Sequence, residues 1–322
     1  MATVIRPPAA GRAPGLMRGD IEERPPGAVI ELPARYRAFY GVTHQFATGE
    51  AAPALTAGQQ NQPDSVLIDS TFDFYALARA AIWAPAATGG QGKIQFKVDR
   101  ELQFAAGGGG NDSVGSYLAT IGTGRFPQYL AAPLLVRGKS SFVAVVGDFQ
   151  TVPAALTVRV LHYGYIVRKD PITQRTWYHS RVPWRYMADF TAEGPLLASI
   201  PAGGQRSLPV PIDPDGDFEV RKIIIVSDGE AKIQIRTADT RADWFHRPVH
   251  VWLLGGTTIN ADPPAGAWPF LLPDETPEFV KARGALTVTV QDISQLANRV
   301  QVIFEGDKLK PASGLRVAGG PQ

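Results

Sequence analysis

The sequence contains no cysteine. A disulfide framework, a thiolate zinc site and a cysteine nucleophile are therefore all excluded. Long apolar runs are absent too: the first residues lack a continuous apolar segment of signal-peptide length, and runs such as residues 142–146 have the length of a strand. We therefore expect neither a membrane-spanning segment nor a secretion signal.

The chain also lacks a surplus of charge of either sign. Its 32 basic and 30 acidic residues give a formal net charge of +2. A balance this even creates no overall field that would favour nucleic acid or an anionic membrane. We therefore expect no nucleic-acid partner and no membrane partner.

Helical periodicity is almost absent, whereas short alternating or β-branched runs are frequent. Examples are residues 93–99, 142–146, 156–163 and 286–290. The 33 glycines and 27 prolines separate these runs, and many short strands joined by turns are typical of β-sandwiches and jelly rolls. The sequence therefore predicts an all-β chain.

Two stretches of the chain, residues 36–168 and 182–310, look like copies of one module. Residues 68–74 correspond to 212–218, residues 93–96 to 232–235, and Gly164 to Gly306, at offsets of 144, 139 and 142 residues. A nearly constant period of this size indicates tandem domains. We predict two jelly-roll-like β-sandwich domains from an internal duplication, joined by a linker at 169–181 and followed by a tail at 311–322.

The first 35 residues contain six prolines among scattered arginines and glycines. Neither a helix nor a sheet ladder accommodates this mixture well, so we predict an extended N-terminal arm over 1–35. Such a segment is either a frayed terminus or a strap that becomes ordered on a neighbouring subunit.

Residues 213–217 place three carboxylates, Asp213, Asp215 and Asp217, two residues apart. This spacing resembles the start of a calcium-binding loop, but the distal glutamate of an EF-hand is missing and a strand begins at Phe218. The first copy keeps only Asp69 and Asp73. We therefore favour a turn in which the carboxylates cap backbone N–H groups, with calcium as the alternative.

No other motif in the sequence indicates a catalytic, metal-binding or phosphate-binding site. His246 and His250 have helical spacing, but Pro248 lies between them and residues 251–254 are predicted as strand, which disfavours a zinc pair. His162 takes the position of Phe304 in the repeat and is expected to pack or to face solvent. The remaining histidines, the turn at residues 138–140, which lacks a phosphate-loop frame, and the glycine run 107–110 fit no known site, and there is no nucleophile elbow. We predict no catalytic, cofactor-binding or metal site and no enzymatic activity.

The six tryptophans could form a sugar-stacking platform on a sandwich face. They are Trp83, Trp177, Trp184, Trp244, Trp252 and Trp268. Most have apolar neighbours, which favours burial, and residues 177–179 are predicted to be the exposed aromatic cluster. A carbohydrate-binding module is therefore the alternative function.

The strand pattern as a whole resembles the β-rich virion structural proteins of tailed bacteriophages. The segments that carry the resemblance are residues 209–223, 245–256, 284–294 and 300–306. The resemblance implies a non-enzymatic protein that decorates or stabilises the head, neck, collar or tail. It also implies symmetric copies of the chain and other phage proteins as partners, and a virion location after assembly in the bacterial host cytoplasm.

Overall fold

The computed structural model describes residues 30–32, 35–47, 50, 54, 62–84, 92–99, 101–102, 114–115, 127–148, 157–172, 176–191, 199–238, 242–258, 269–273 and 278–311. Nearly all of these residues belong to antiparallel strands, and the described part contains no α-helix. The prediction of an all-β sandwich chain is therefore confirmed. No helix in these ranges is long and apolar enough to cross a membrane.

The first half of the chain forms two facing sheets, which we call the first sandwich. One sheet has the order β2-β10-β4-β8 and the other the order β3-β9-β5, with β6 and β7 both pairing with β5. The strands are β2 Arg35–Phe46, β3 Gln62–Leu67, β4 Phe72–Ala84, β5 Gly92–Val98, β6 Glu101–Leu102, β7 Val114–Gly115, β8 Gln128–Val136, β9 Ser141–Asp148 and β10 Thr157–Ile172.

The second half forms the second sandwich. Its sheets have the orders β11-β21-β13, with β17, β18 and β19 on β13, and β12-β20-β14, with β15 and β16 on β14. The strands are β11 Thr176–Asp189, β12 Gln205–Pro211, β13 Asp217–Ser227, β14 Ala231–Thr237, β15 Ala242–Asp243, β16 Val249–His250, β17 Thr257–Thr258, β18 Phe270–Leu271, β19 Glu278–Val280, β20 Ala285–Asp292 and β21 Val300–Pro311.

The two sandwiches have the same strand order. In each, the first, last and third strands form one sheet, and the second, penultimate and fourth strands form the other. This connectivity, with two Greek keys wound together, is that of a jelly roll. The division into domains at 36–168 and 182–310 stays a prediction, because β10 ends at Ile172, β11 begins at Thr176, and residues 173–175 between them lie outside the described residues.

The repeated aspartates perform the same task in both sandwiches. Asp73 Oδ1 accepts a hydrogen bond of 2.8 Å from the backbone N–H of Gly138, and Asp217 Oδ1 accepts one of 2.8 Å from the N–H of Ala282. Donors and acceptors are both separated by 144 residues. The predicted capping of backbone N–H groups by these carboxylates is therefore confirmed for Asp73 and Asp217.

The N–H group that donates this hydrogen bond belongs in both halves to a tight turn, and the next residue of that turn is basic. Lys139 and Arg283 have φ angles of 71° and 65°. Their N–H groups donate to the carbonyls of Ile68 and Ile212, at 3.0 and 3.2 Å. Residues 138–140 therefore form a turn between β8 and β9, as their lack of a phosphate-loop frame indicated; the glycine run 107–110 lies outside the described residues.

We expect Asp217→Ala to lower the free energy of unfolding by about 2 kcal/mol. The substitution removes a charged acceptor that also binds the Tyr178 hydroxyl at 2.6 Å, and bonds to charged groups are worth about 1.5–3 kcal/mol. Denaturant unfolding would measure the loss. Ser207→Ala, on the exposed surface of β12, is the control and should change stability by less than about 0.5 kcal/mol; equal losses in both variants would contradict this role of Asp217.

The end of the predicted N-terminal arm joins the second sandwich. Strand β1, Ile30–Leu32, pairs antiparallel with β11, placing Ile30 opposite Tyr178 and Leu32 opposite Thr176. The expectation that no part of residues 1–35 fits a sheet ladder is therefore wrong for these three residues, which lie between Pro26 and Pro33 and so keep their N–H donors. It is also wrong for Arg35, which begins β2. Residues 1–29 of the arm and the tail 312–322 lie outside the described residues.

Candidate assembly interface

The two sandwiches meet along one continuous hydrophobic contact, which we call the seam. Phe39 of β2 packs its ring against Trp244, Phe245 and Phe270 of the second half, with ring centroids 5.8, 5.7 and 6.1 Å away. Tyr163 of β10 lies 4.9 Å from the Phe270 ring. All five side chains are buried and belong to one core cluster. The seam is therefore a shared core, of the kind found in permanent interfaces.

Backbone hydrogen bonds fix the register of the seam. The N–H of Gly41 donates to the Trp244 carbonyl at 2.9 Å, and the N–H of His246 donates to the Gly41 carbonyl at 2.8 Å. A Cβ atom at Gly41 would lie only 2.7 Å from the Phe245 ring. Glycine at this position therefore permits the close approach of the two backbones.

Buried polar links add to the seam. Glu278 accepts a hydrogen bond of 2.5 Å from the N–H of Phe39, and Arg247 lies 3.2 Å from Asp64. Lys232 pairs with Glu50 of the first half. Breaking a buried pair by removing one partner leaves a stranded charge, so these links bind the halves into one unit.

The second sandwich presents the corresponding sheet surface to solvent. We call this surface the open face; it consists of the outward residues of β11, β21 and β13, namely Arg181, Arg185, Met187, Glu219, Arg221, Lys222, Ile224, Ile303, Glu305 and Asp307. A groove of about 720 Å³ lies across it and reaches Trp184. Met187 is 48% exposed and Trp184 is 41% exposed.

Ion pairs organise one end of the open face. Arg221 Nε lies 3.0 Å from Asp307, Arg181 Nη2 lies 3.0 Å from Glu219, and Arg185 Nε lies 2.5 Å from Glu305. Burial opposes the charge of Arg221, but Glu219 and Asp307 outweigh it and raise the pKa of this side chain above its usual value. The glutamates lie buried beneath exposed cations, so the three carboxylates of this end balance three of its four positive charges within the face.

On the open face, a row of apolar side chains lies next to these charged side chains. Met187, Ile303 and Ile224 lie side by side in register on three neighbouring strands. The equivalent positions in the first sandwich, at offsets of 142 to 144 residues, include Leu161 and Ala80, which are buried at the seam. One sandwich thus buries this sheet surface in the interior, and the other leaves it accessible with a half-exposed apolar strip.

The loop at residues 213–217, whose carboxylate spacing resembles the start of a calcium-binding loop, binds a lysine. Lys308 Nζ lies 2.7 Å from Asp213, pairs with Asp215, and stands 4.5 Å above the Trp184 ring. Burial disfavours the lysine charge, but the two carboxylates raise the pKa of Lys308, and the hydrogen bond from Lys308 lowers the pKa of Asp213. Asp217 binds other partners, so the three carboxylates do not converge. No cluster of three potential metal ligands occurs in the described ranges.

The histidines occupy several different environments. His44 and His162 are buried in the core of the first sandwich, so the packing alternative for His162 is confirmed. His250 Nδ1 accepts a hydrogen bond from the N–H of Trp252 and caps a 3-10 turn over Val251–Leu254. The prediction of a strand there is therefore wrong, because the histidine cap and the left-handed Gly255 favour a turn. His246, two residues before Pro248, is exposed, and His179 is exposed in β11.

The tryptophans do not form a common platform in the part of the chain that the structure describes. Trp244 is buried at the seam, Trp252 is partly buried against His250, and Trp184 is exposed beside Lys308. The predicted exposed cluster at 177–179 is wrong for Tyr178, which is buried where β1 covers β11. The side chains of Trp83 and Trp177, and all of Trp268, lie outside the described residues.

Sequence reasoning missed the seam and the open face. Phe39 and Glu278 are 239 residues apart in the chain, and no local pattern connects them. The repeat offered one signal. It aligns Leu161 with Ile303 and Tyr163 with Glu305, and an aromatic residue in one copy against a carboxylate in the other indicates different surroundings for the same sheet surface.

No family model and no curated protein matches the chain. Among solved structures, it is similar to the major capsid protein P2 from bacteriophage PM2, at 12% identity over 86% of this chain and 99% of that one, with a TM-score of 0.22. It is also similar to the infectious bursal disease virus Gt strain, at 12% identity over 90% and 83% of the chains, with a TM-score of 0.15. TM-scores this low carry no argument about function.

Proposed function

We propose that this chain is a non-enzymatic structural protein of a virus particle, and that copies of it associate through the open face. The observation that carries the proposal is the contrast between two equivalent sheet surfaces. One is buried at the seam, and the other is exposed with an apolar row beside charges that are mostly paired within the face.

The geometry of the seam supports a head-to-tail mode of association. Within one chain, the sheet surface of the first sandwich receives the Trp244–Phe245 segment of its neighbour, so different surfaces meet. An interface between unlike surfaces is heterologous, and repeated heterologous contacts produce closed rings or open arrays. A second copy placed on the open face would extend the same arrangement from within one chain to between chains.

The ion pairs at one end of the open face suit one side of the rim of such a contact. Charged groups at a rim add little affinity, but they fix the orientation of partners and exclude wrong ones. The apolar row of Met187, Ile303 and Ile224 supplies the centre, where burial provides most of the free energy of association.

We expect Met187→Glu to weaken self-association of the full-length chain about thirtyfold, which corresponds to ~2 kcal/mol at the centre of an interface. Light scattering and sedimentation over a concentration series would measure it. Leu296→Glu is the matched control, because Leu296 is 71% exposed in the turn between β20 and β21 and lies off the open face. Self-association that survives Met187→Glu but is lost in Leu296→Glu would refute this placement.

The location in the particle needs a separate experiment. Purified particles from a culture that produces the chain should contain it in many copies, and imaging of those particles would distinguish the shell, head decoration, neck or collar, and tail. We expect assembly in the bacterial host cytoplasm with other virion proteins as partners. A chain that stays monomeric at high concentration and is also missing from particles would refute the structural role.

We also infer that the two sandwiches arose by internal duplication. Their common strand order supports this, as do the paired hydrogen bonds of Asp73 and Asp217 and the paired left-handed residues Lys139 and Arg283. Duplication would explain why one sheet surface exists twice in the chain with two different neighbours.

A further inference from the structure

The cores of the two sandwiches differ at equivalent positions. In the second sandwich these positions hold five buried apolar side chains: Ala188, Ile223, Ile235, Leu286 and Phe304. In the first sandwich the same positions hold His44, Arg79, Phe96, Phe142 and His162, all of them buried. The fold therefore does not require polar groups here, since the second half of the same chain builds this core without them.

The two histidines lie together inside this core. Their ring centroids are 6.1 Å apart, and the Phe142 ring lies 4.9 Å from His44 and 4.8 Å from His162. Phe96 lies 4.5 Å from His162. Both ring nitrogens of His44 and Nδ1 of His162 have no hydrogen-bond partner among the described residues. Each ring is thus held as an uncharged group in an aromatic pocket.

The charged groups around the pair favour the uncharged state. Strand β4 contributes Arg79, whose guanidinium lies 5.2 Å from the Phe96 ring, while β5 contributes Phe96 and β9 contributes Phe142 to the pocket. Burial lowers the pKa of His162 well below its usual value, and the charges of Arg79 and His44 lower it further. A proton on His162 would therefore meet the positive charge of Arg79, and a second positive charge whenever His44 is protonated as well.

His44 has one carboxylate within reach. Asp64 of β3 lies 3.7 Å from His44 Nδ1, but Asp64 is already bound by the N–H of Gln45 at 2.9 Å and by Arg247 across the seam. His246, also from the second half, shares this charge environment. Burial lowers the pKa of His44, and Asp64 offsets only part of the effect. Arg247 binds the other oxygen of Asp64, and its charge also lowers the pKa of His44. A proton on His44 would therefore repel Arg247 and weaken a link across the seam.

We propose that the His44–His162 pair makes the first sandwich and the seam acid-labile, so that mild acid loosens this half while the second sandwich remains folded. The proposal is independent of the virion role, because it concerns the stability of a single chain. A protein with one acid-labile half can change its shape or its contacts when it passes between compartments of different pH.

The direction of the effect follows from proton linkage. In the unfolded chain both histidines have the ordinary pKa of 6.5, and in the folded chain both values are lower. The unfolded state therefore binds more protons below pH 6.5, so stability is full above this pH and falls as the pH decreases. Each buried histidine contributes up to about a tenfold change in the opening equilibrium per pH unit, and the pair up to about a hundredfold.

Hydrogen exchange of the full-length chain tests the proposal strand by strand. Between pH 6.5 and 5.5, after correction for intrinsic exchange rates, protection in β2, β9 and β10 should fall by up to about thirtyfold. Protection in β13, β20 and β21 should fall less, by up to about fivefold, because burial also lowers the pKa of one histidine there, His250. His162→Phe introduces the residue that the second sandwich carries at the equivalent position, Phe304, and it should reduce the change in the first sandwich about fivefold. His179→Gln, at an exposed histidine, should behave as the wild type.

Two results would overturn the proposal. One is a pH dependence in His162→Phe equal to that of the wild type, and the other is an equal loss of protection in both sandwiches. If His162→Phe does not fold, His44→Gln and NMR titration of the wild-type imidazoles replace it: His44→Gln should reduce the pH dependence of the first sandwich. In the titration, rings of His44 and His162 that titrate near pH 6.5 in the folded chain would refute a core that holds them uncharged.

Discussion

Gly306→Ala is expected to lower the free energy of unfolding of the second sandwich by about 4 kcal/mol or more, a loss reached by few single substitutions. Gly306 of β21 faces a bulge in β13, where the register shifts between Val220 and Lys222. A Cβ atom at Gly306 would overlap the carbonyl oxygen of Glu219. The obstacle is backbone, so no side-chain rotation relieves it, and the central strand pair must separate locally.

The first sandwich contains the same arrangement and should respond in the same way. Gly164 of β10 faces the register shift beside Ala76 and Ala78 of β4, and a Cβ atom there would overlap the carbonyl oxygen of Tyr75. Gly203→Asn is the control: Gly203 has a φ of 64°, which asparagine tolerates, and the nearest atom to a Cβ would be 3.7 Å away. Denaturant unfolding followed by hydrogen exchange would locate the loss. Gly306→Ala with wild-type stability would disprove the steric argument.

Phe39→Ala should be the most damaging substitution at the seam, with a loss of about 3–5 kcal/mol. Its ring is 2% exposed and contacts three aromatic rings of the other half, so truncation leaves a cavity that rigid strands cannot close. We expect calorimetry to resolve two unfolding transitions in place of one cooperative transition, because the seam couples the sandwiches. Leu67→Ala, at a residue 67% exposed in the first sandwich, should leave the transition unchanged. A single transition at an unchanged temperature in Phe39→Ala would contradict this role of the seam.

The features that the sequence predicted well are those with a local pattern. Alternation in residues such as 286–290 predicts a strand with one buried face, and the burial of β20 alternates accordingly. The repeated segments at 68–74 and 212–218 indicated equivalent turns, and the structure places Asp73 and Asp217 in identical hydrogen bonds. The sequence showed Gly164 and Gly306 only as identical residues at equivalent positions of the repeat. Glycine is needed at both positions because the neighbouring strand has a bulge there, and this follows only from the strand pairing.

The features that the sequence did not predict depend on contacts between segments far apart in the chain. The seam joins β2 to residues more than two hundred positions later, and Phe39 has no property that marks it as an interface residue. The 3-10 turn at Val251–Leu254 was hidden because an apolar run of four residues fits a strand equally well. The buried histidine pair was partly visible, since the repeat aligned His162 with Phe304, but burial of both histidines in one pocket depends on the packing of two sheets.

The pairing of β1 with β11 has a consequence for the order of events during synthesis. Residues 30–32 leave the ribosome long before Thr176–Tyr178, and at typical elongation rates the interval is on the order of ten seconds. Throughout that time the segment before β2 has no partner strand, although the first sandwich can already begin to form. Docking of the N-terminal segment therefore requires that β11, the first strand of the later half, has emerged, and a nascent chain that stalls before β11 would keep this segment accessible to chaperones and proteases.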